Sequence, residues 1–380
     1  MKIVHIADTH LGLAACTRLD PESGMNLRER QIYDNFLAAI DTIIRERPDV
    51  LVHAGDLFDT VKPKTRAYTT ALDALTRLHE AGIPLVIVTG NHSMVKTRYT
   101  TSPLAVLGYH AAEIHAAYSF KAEQVEIGDT LFSLLPNMLR PEDYRTAFDT
   151  ITLAKGRNNV LVTHGLATQI KDKRLATVAE HELDSTILSD AFDYIALGHY
   201  HNQSQITGNA WYSGSSEFLT YGEIKDTKGA LVVDPGRHEV RHLDLPKTPM
   251  YDCGTIACAS RHAAEITEEI ISRVEKKQPE KFSLAQVTLD GLSREHGKGI
   301  DTRALASVRE QLLDLKIRVI AAGEEKAAPL QQDVRAIDYL KEFDVFLAKK
   351  QLTEKQKSFV ARTGREVLAE AMAVHREDAE

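Results

Sequence analysis

Five short apolar runs in this chain each stop at residues of the types that can ligate metal ions. Residues 2–7 run into Asp8-Thr9-His10, and residues 50–53 into Gly55-Asp56. Residues 85–88 lead to Gly90-Asn91-His92, residues 160–163 to His164-Gly165, and residues 194–197 to Gly198-His199-Tyr200-His201. Apolar runs of this length read as buried strands. Between the early ones lie helical patterns. Ile32, Phe36, Ile40 and Ile43 share a face of a helix that Pro48 stops, and residues 67–81 form a second helix closed by Gly82. Strands alternating with helices predict an α/β sandwich. In such sheets the strand ends on one side open onto a common crevice. All five motifs are therefore expected at one place. Alternation along a strand end keeps Asp8 with His10, and His199 with His201. The glycine beside each candidate ligand lets the backbone turn tightly. A lone Asp-x-His or Gly-Asn-His is an ordinary turn; five such ends in order are not. Carboxylate, imidazole and amide donors together suit divalent ions such as manganese or iron.

Composition narrows the alternatives. The 380 residues carry 46 Lys and Arg against 54 Asp and Glu, a formal net charge of −8, so the chain as a whole is no basic nucleic-acid binder. Three cysteines, Cys16, Cys253 and Cys258, form no CxxC, which argues against a thiolate zinc site or a disulfide framework and suits reduced, buried thiols. No apolar stretch has the length of a membrane span. The first residues already read as a strand and not a signal peptide, so the expected location is the cytoplasm, with no membrane partner. Of the histidines outside the motifs, His5 and His53 lie within strands and are expected in the core or at its rim. His110, His115, His181 and His296 are expected at the surface.

Beyond residue 246 the pattern changes. No further His or Asp stands at a strand end. A helix face at Ile266, Ile270, Ile271 and Val274, a strand over 282–289, a helix over 302–313 and a strand over 317–321 outline a small αβ domain. Gly323-Glu324-Glu325-Lys326 reads as a linker. Two amphipathic helices follow. Ile337, Leu340, Phe343 and Leu347 line the first. Thr353 with Gln356 forms a capping box for the second, which carries Phe359, Val360, Val367, Leu368 and Met372. The expected division is thus 1–246, 247–325 and 326–380.

The order DxH, GD, GNH, H, GHxH resembles the calcineurin-like metallophosphoesterases. The strings Ile6-Ala7-Asp8-Thr9-His10-Leu11-Gly12, Ala54-Gly55-Asp56-Leu57-Phe58-Asp59 and 193–201 are similar to SbcD-type DNA double-strand-break repair nucleases, as is the tail around Tyr339-Leu340 and residues 351–355. The resemblance implies an α/β fold, a metallophosphoesterase β-sandwich flanked by helices, with a small αβ cap domain that touches DNA and a C-terminal helical tail. It implies two divalent ions, manganese foremost. Asp8, His10, Asp56 and His201 would hold one; Asp56, Asn91, His164 and His199 would hold the other, with Asp56 bridging. His92 would stabilise the transition state or protonate the leaving oxygen. The family implies 3′–5′ exonuclease action on double strands and endonuclease action on single strands or hairpins. It also implies an SbcC-like ABC-type ATPase bound through the tail, and a homodimer.

Two departures stand out. The family usually has an acid after the GNH histidine, which would orient His92 and raise its pKa; this chain has Ser93 there, which adds no charge, so a weaker general acid is expected. In Tyr212-Ser213-Gly214-Ser215 the residue more often found before the glycine is proline. Asp59 lies at the rim of the expected crevice, as a substrate contact or as a structural cap. Three basic clusters follow the motif loops: Lys62, Lys64 and Arg66; Lys96 and Arg98; Lys171, Lys173 and Arg174. Placed around one crevice they would hold a phosphate backbone. The competing readings are a small-molecule phosphodiesterase or phosphatase of the same fold, and a weakly active scaffold subunit detuned by Ser93.

Overall fold

The computed structural model describes residues 1–95, 100–170, 172, 182–183, 185–259, 261–292, 300–321, 343, 347 and 356–365. The chain forms two compact units, Met1–Ala322 and Gly323–Glu380. The first is built on two six-stranded sheets. One has the order β14 (Glu239–Leu243), β13 (Ala230–Asp234), β1 (Ile3–Ile6), β2 (Val50–His53), β3 (Leu85–Val88), β4 (Ile114–Ala117); the other has β11 (Ser204–Gln205), β12 (Ala210–Tyr212), β10 (Tyr194–Gly198), β7 (Asn158–His164), β6 (Thr130–Leu135), β5 (Glu123–Ile127), and β8 (Leu166–Ala167) pairs separately with β9 (Glu182–Leu183). The strands that position the site are β1 (Ile3–Ile6), β2 (Val50–His53) and β3 (Leu85–Val88) in the first sheet. In the second sheet they are β7 (Asn158–His164) and β10 (Tyr194–Gly198). β1 pairs parallel with β2, β2 with β3, and β7 with β10, so within each sheet these strands end on the same side.

The continuous apolar runs are explained by burial on both faces. Ile3, Val50, Val52, Val86 and Val88 point between the sheets, where they meet Phe132, Val160, Val162 and Ala196. Val4, Ile6, Leu51 and Ile87 point outward against α1 (Leu27–Glu46) and α2 (Thr65–Glu80). Asn26 caps α1 by accepting the Glu29 N–H at 3.0 Å, and Arg47 ends it in a left-handed conformation just before Pro48. Ile32, Phe36, Ile40 and Ile43 all reach the core, as their spacing predicts. Each such side chain contributes roughly 1.5–3 kcal/mol by leaving water.

His5 and His53 are buried as expected. His5 Nδ1 shares a hydrogen bond with the Tyr194 hydroxyl at 2.9 Å, across the two sheets. Burial, with His53 nearby, pushes the His5 pKa down to about 3. The folded chain therefore refuses a proton that the unfolded chain takes up below its ordinary value near 6.5. The stability held above that value is lost as pH falls toward about 3, reaching about 2 kcal/mol for this one group at pH 5. Urea titrations of chelator-treated protein between pH 7 and 5 should show a shallower acid decline in His5→Gln than in the parent. Parallel declines would assign the acid sensitivity to other groups.

The same unit contains a three-stranded parallel sheet, β15-β16-β17, made of Met250–Ala257, Leu284–Leu292 and Asp314–Ala321. After α3 (Pro141–Phe148) of the sandwich, helices α4 (Ala263–Lys276) and α5 (Ala306–Gln311) cover this sheet, over a core of Ile256, Ile266, Ile270, Val287 and Leu289. The helix expected over 302–313 is shorter, because Leu312 is extended and Leu313 leads into β17. Arg18 fastens this module to the loop before α1. Its guanidinium donates to the carbonyls of Glu310 (2.8 Å) and Arg309 (3.1 Å) at the end of α5, and lies 4.9 Å from the Phe282 ring centre. All three cysteines are free; Cys253 and Cys258 are buried and Cys16 partly so.

In the second unit, residues 356–365 are helical and Phe343 lies against Gly364. Phe359 is exposed. Ile337, Leu340, Thr353, Val367, Leu368 and Met372 lie outside the described residues. Among the described residues, no helix is long and apolar enough to cross a membrane.

Candidate metal centre

The ends of β1, β2, β3, β7 and β10 bring the seven sequence-predicted ligand residues together at one side of the sandwich. Asp8, His10 and His201 offer donor atoms within 4.8 Å of one another, as do Asp8, Asp56 and His164. Asn91 Oδ1 lies 2.9 Å from His164 Nε2 and 3.1 Å from His199 Nδ1. Asp56 Oδ2 stands between the groups, 3.3 Å from His164 Nε2 and 4.0 Å from His10 Nε2.

The backbone here is unusual. Asp8, His10, Asp56 and His199 all have positive φ, at 53°, 46°, 54° and 102°. Such conformations cost of order 1–3 kcal/mol each and persist only where the surroundings impose them. Here the surroundings are backbone hydrogen bonds. The Asp8 N–H donates to Gly55 O and the His10 N–H to Asp56 O, both at 3.0 Å. The His199 N–H donates to the Asp8 carboxylate and the His92 N–H to Asp56 Oδ1, also at 3.0 Å.

Hydrogen bonds also fix which imidazole nitrogen faces the centre. His164 Nδ1 donates to the Ala54 carbonyl at 2.8 Å, which leaves Nε2 toward Asp56 and Asn91. His10 Nδ1 meets Asp59 Oδ1 at 3.1 Å, and His201 Nδ1 meets Glu223 Oε1 at 3.0 Å. Metal-ligating histidines are commonly oriented in this way. His10 Nε2 is buried and makes no hydrogen bond among the described residues. A buried imidazole nitrogen without a partner, carboxylate oxygens and an amide oxygen within a few ångströms make a donor set that fits divalent ions. The electrostatics agree. Burial opposes ionisation of Asp56, but His164, His10 and His92 outweigh it and hold the carboxyl far below its usual range. Burial likewise pulls the His164 pKa down, but Asp56 and Asp8 outweigh it and raise it to about 9, so an ion entering here displaces a proton.

His92 lies at the mouth, its side chain nearly half exposed, beside a cavity of about 240 Å3 lined in part by Asp56, Asn91, His199, Tyr200 and His201. Its Nδ1 donates to the Asp59 backbone carbonyl at 2.9 Å, and Asp59 Oδ1 is 3.8 Å away. Ser93 plays no part in this: its side chain is fully buried and its hydroxyl makes no hydrogen bond among the described residues. The orienting task that sequence reading gave to the residue after His92 thus falls to Asp59. Glu223 was missed altogether. It lies 22 residues beyond His201 with no motif around it, and only tertiary contact reveals it.

The basic residues are placed less centrally. Lys62 is exposed, and Lys64 pairs with Glu29 at 2.7 Å. Arg66 lines a separate groove between α1 and α2 with Asp20, Tyr33 and Asp73. Lys96, Arg98, Lys171, Lys173 and Arg174 lie outside the described residues.

Comparison with known proteins agrees with this geometry. The chain is similar to the DNA double-strand break repair protein Mre11 of Methanocaldococcus jannaschii, with 27% identity over 73% of this chain and 74% of that protein. It is 29% identical to the Thermoplasma acidophilum Mre11 over 76% of each chain. Identity with the Sulfurisphaera tokodaii Mre11 is 31%, over 61% of this chain and 59% of that one. Residues 1–233, which contain all seven ligand candidates and His92, match the family model of the calcineurin-like phosphoesterases, and the chain belongs to that family.

Proposed function

We propose that this chain is a two-metal-dependent DNA nuclease, the SbcD-like subunit of a double-strand-break repair complex. The observation that carries the reading is the convergence of Asp8, His10, Asp56, Asn91, His164, His199 and His201 beneath a crevice whose mouth holds His92. The names of the Mre11 relatives point to DNA as the substrate. In this reading Asp8, His10, Asp56 and His201 hold one ion, and Asp56, Asn91, His164 and His199 the other. Manganese suits these donors. Two such ions supply Lewis-acid charge to a phosphodiester and lower the pKa of water.

The chain's own residues do the rest. The Asp59 carbonyl accepts only from an N–H, so it holds the His92 proton on Nδ1 and leaves Nε2 for the substrate. As the imidazolium, with a second proton on Nε2, His92 stabilises charge on phosphorus-bound oxygen or gives that proton to the leaving oxygen. Asp59 holds His10 through its carboxylate and His92 through its backbone carbonyl, so the His92 ring is oriented without an acid after it, and this favours an active enzyme over a scaffold. Residues 1–246 form the nuclease body, 247–325 a cap that contacts DNA, and 326–380 a tail for an SbcC-like ATPase. The body pairs as a homodimer in the cytoplasm. Lys62, Lys64 and Arg66 are exposed candidates for phosphate contacts, and the other basic residues of the motif loops extend them.

The test is cleavage of end-labelled duplex DNA with manganese, beside an aryl phosphodiester. His92→Ala should slow DNA cleavage roughly 100- to 10,000-fold, and Asp56→Ala or a chelator should abolish it. Product lengths give the polarity. Hydrolysis of the aryl ester with intact DNA would move the reading to a small-substrate phosphodiesterase.

A further inference from the structure

Two loops beside the metal centre take no part in the chemistry above. β4 runs parallel to β3, with Ala117 opposite Val88, so it ends on the same side as Gly90-Asn91-His92. β6 runs parallel to β7, with Leu135 opposite Thr163, and ends beside His164. Thr89, the residue before Gly90, joins the two ends. Its N–H donates to the Ala117 carbonyl, and its own carbonyl accepts the Asn137 N–H, both at 3.0 Å. The Asn137 amide donates to the Tyr144 hydroxyl at 2.8 Å, and that hydroxyl donates to the His164 carbonyl at 2.8 Å. The residues that follow are open to solvent. Tyr118 is 38% exposed and Phe120 39% after β4, and Leu139 is exposed after β6. Lys121 is exposed beside them and forms no ion pair among the described residues. The cavity beside His92 is lined by Tyr200, Thr220 and Asp226, which follow β10 and β12. By strand order the loops after β4 and β6 lie on its opposite flank.

Single apolar residues at a surface need no account, but three on two loops joined at the residue before Gly90 are a patch. Elsewhere in the body the large rings go inward: Phe58, Phe132, Tyr144, Tyr194 and Tyr212 are all buried. A strand held at the metal centre by its phosphates carries its bases along the flanks. Unpaired bases have free faces that stack on aromatic side chains, whatever the sequence, while a neighbouring cation meets the backbone. Bases inside a duplex are already stacked on one another. We propose that Tyr118 and Phe120 form a stacking platform for unpaired bases of the strand whose phosphate lies at the metal centre, with Lys121 meeting its backbone. This rests on the nuclease reading above, and it names the form of DNA this flank takes: a single strand or a frayed end. A second copy of the chain seated here would crowd the mouth at His92, which substrate must reach.

The experiment compares two labelled strands of equal length, an oligothymidine and a fully abasic strand with the same phosphates. Both are titrated with full-length, chelator-stripped protein, which leaves them uncut. The parent should bind the oligothymidine roughly 5- to 100-fold more tightly for each stacked base. The double variant Tyr118→Leu, Phe120→Leu keeps the apolar bulk without the rings, and should bind the two strands within about twofold of each other. Its salt dependence should keep the parental slope, because that slope counts phosphate contacts, whereas Lys121→Ala should lower it by about 1. Should the double variant fail to fold, Tyr118→Leu and Phe120→Leu alone carry the comparison, each losing part of the preference. A parent indifferent to the bases, or a double variant that keeps the preference, would overturn the proposal. So would a variant that changes only self-association in sedimentation, which would assign the rings to a contact between copies. DNA cleavage by the parent with manganese is measured alongside. A base preference without cleavage would sink the nuclease reading and keep the platform, whereas cleavage without a base preference would sink the platform alone.

Discussion

Gly198→Ala should cost at least about 100-fold in turnover and remove tight metal binding, although it adds a single methyl group. A Cβ on Gly198 would overlap the carbonyl oxygen of Ala54 and stand only 2.8 Å from Ala54 C and from His164 Nδ1. Neither neighbour can yield cheaply. Ala54 links β2 to Asp56, and its carbonyl is the group that orients His164. A shift of either strand end displaces His199 and His201 on one side, or Asp56 and His164 on the other. Misplacing reacting groups by about 1 Å is enough for a 100-fold loss. Overpacking of this kind also costs about 1–3 kcal/mol in stability. Gly208→Ala is the control, because a Cβ there meets nothing within 4 Å. Activity and metal stoichiometry of the two variants, measured side by side, decide the matter. A Gly198→Ala enzyme with two ions and parental turnover would show that the strand ends are not coupled through this contact.

The same contact explains why so much of the site was legible in the sequence. Each motif couples a strand, a ligand and often a glycine, and the glycines stand where two strand ends come too close for a side chain. Local sequence therefore carries the packing constraint as well as the chemistry. The groups behind the ligands leave no such trace. Glu223, at the end of the single turn Tyr221–Glu223, and Lys228, in irregular chain, act on a histidine more than twenty residues away. Asp59 was visible in the sequence, but its bonds to His10 and His92 arise only when the ends of β1 and β3 meet the loop after β2. Farther from the site the periodic signal weakens for similar reasons. β15 was not anticipated, because its register with β16 shifts between Asp252 and Thr255, around Gly254, which breaks the alternation that marks a strand. The helix expected over 302–313 was extended by Leu312 and Leu313, which are buried at the start of a strand and not on a helix face.

A second large effect is expected at a residue outside the ligand set. Arg28→Ala should destabilise the body by about 3–5 kcal/mol, the usual cost of leaving one partner of a buried ion pair alone. Arg28 and Glu217 are both almost fully buried and meet at 2.9 Å. Arg28 also donates to the Phe218 carbonyl at 2.6 Å and to the Thr248 hydroxyl at 2.7 Å. Glu217 accepts the Thr248 N–H at 2.9 Å and the Asn35 amide at 2.5 Å. The network therefore joins α1, the 213–218 segment and the chain just before β15, where the body passes into the small αβ module. Removing the guanidinium strands a carboxylate and unfastens that junction in one step. Replacing both partners with apolar residues, Arg28→Met with Glu217→Met, should recover much of the loss, because the penalty comes from the uncompensated charge and not from missing bulk. Denaturant unfolding of the parent, the single variant and the double variant measures this directly. A double variant no more stable than Arg28→Ala would mean that the pair serves the junction through its geometry, with Thr248 and Phe218 as its essential partners. A single variant within about 1 kcal/mol of the parent would mean that water reaches Glu217 once Arg28 is gone.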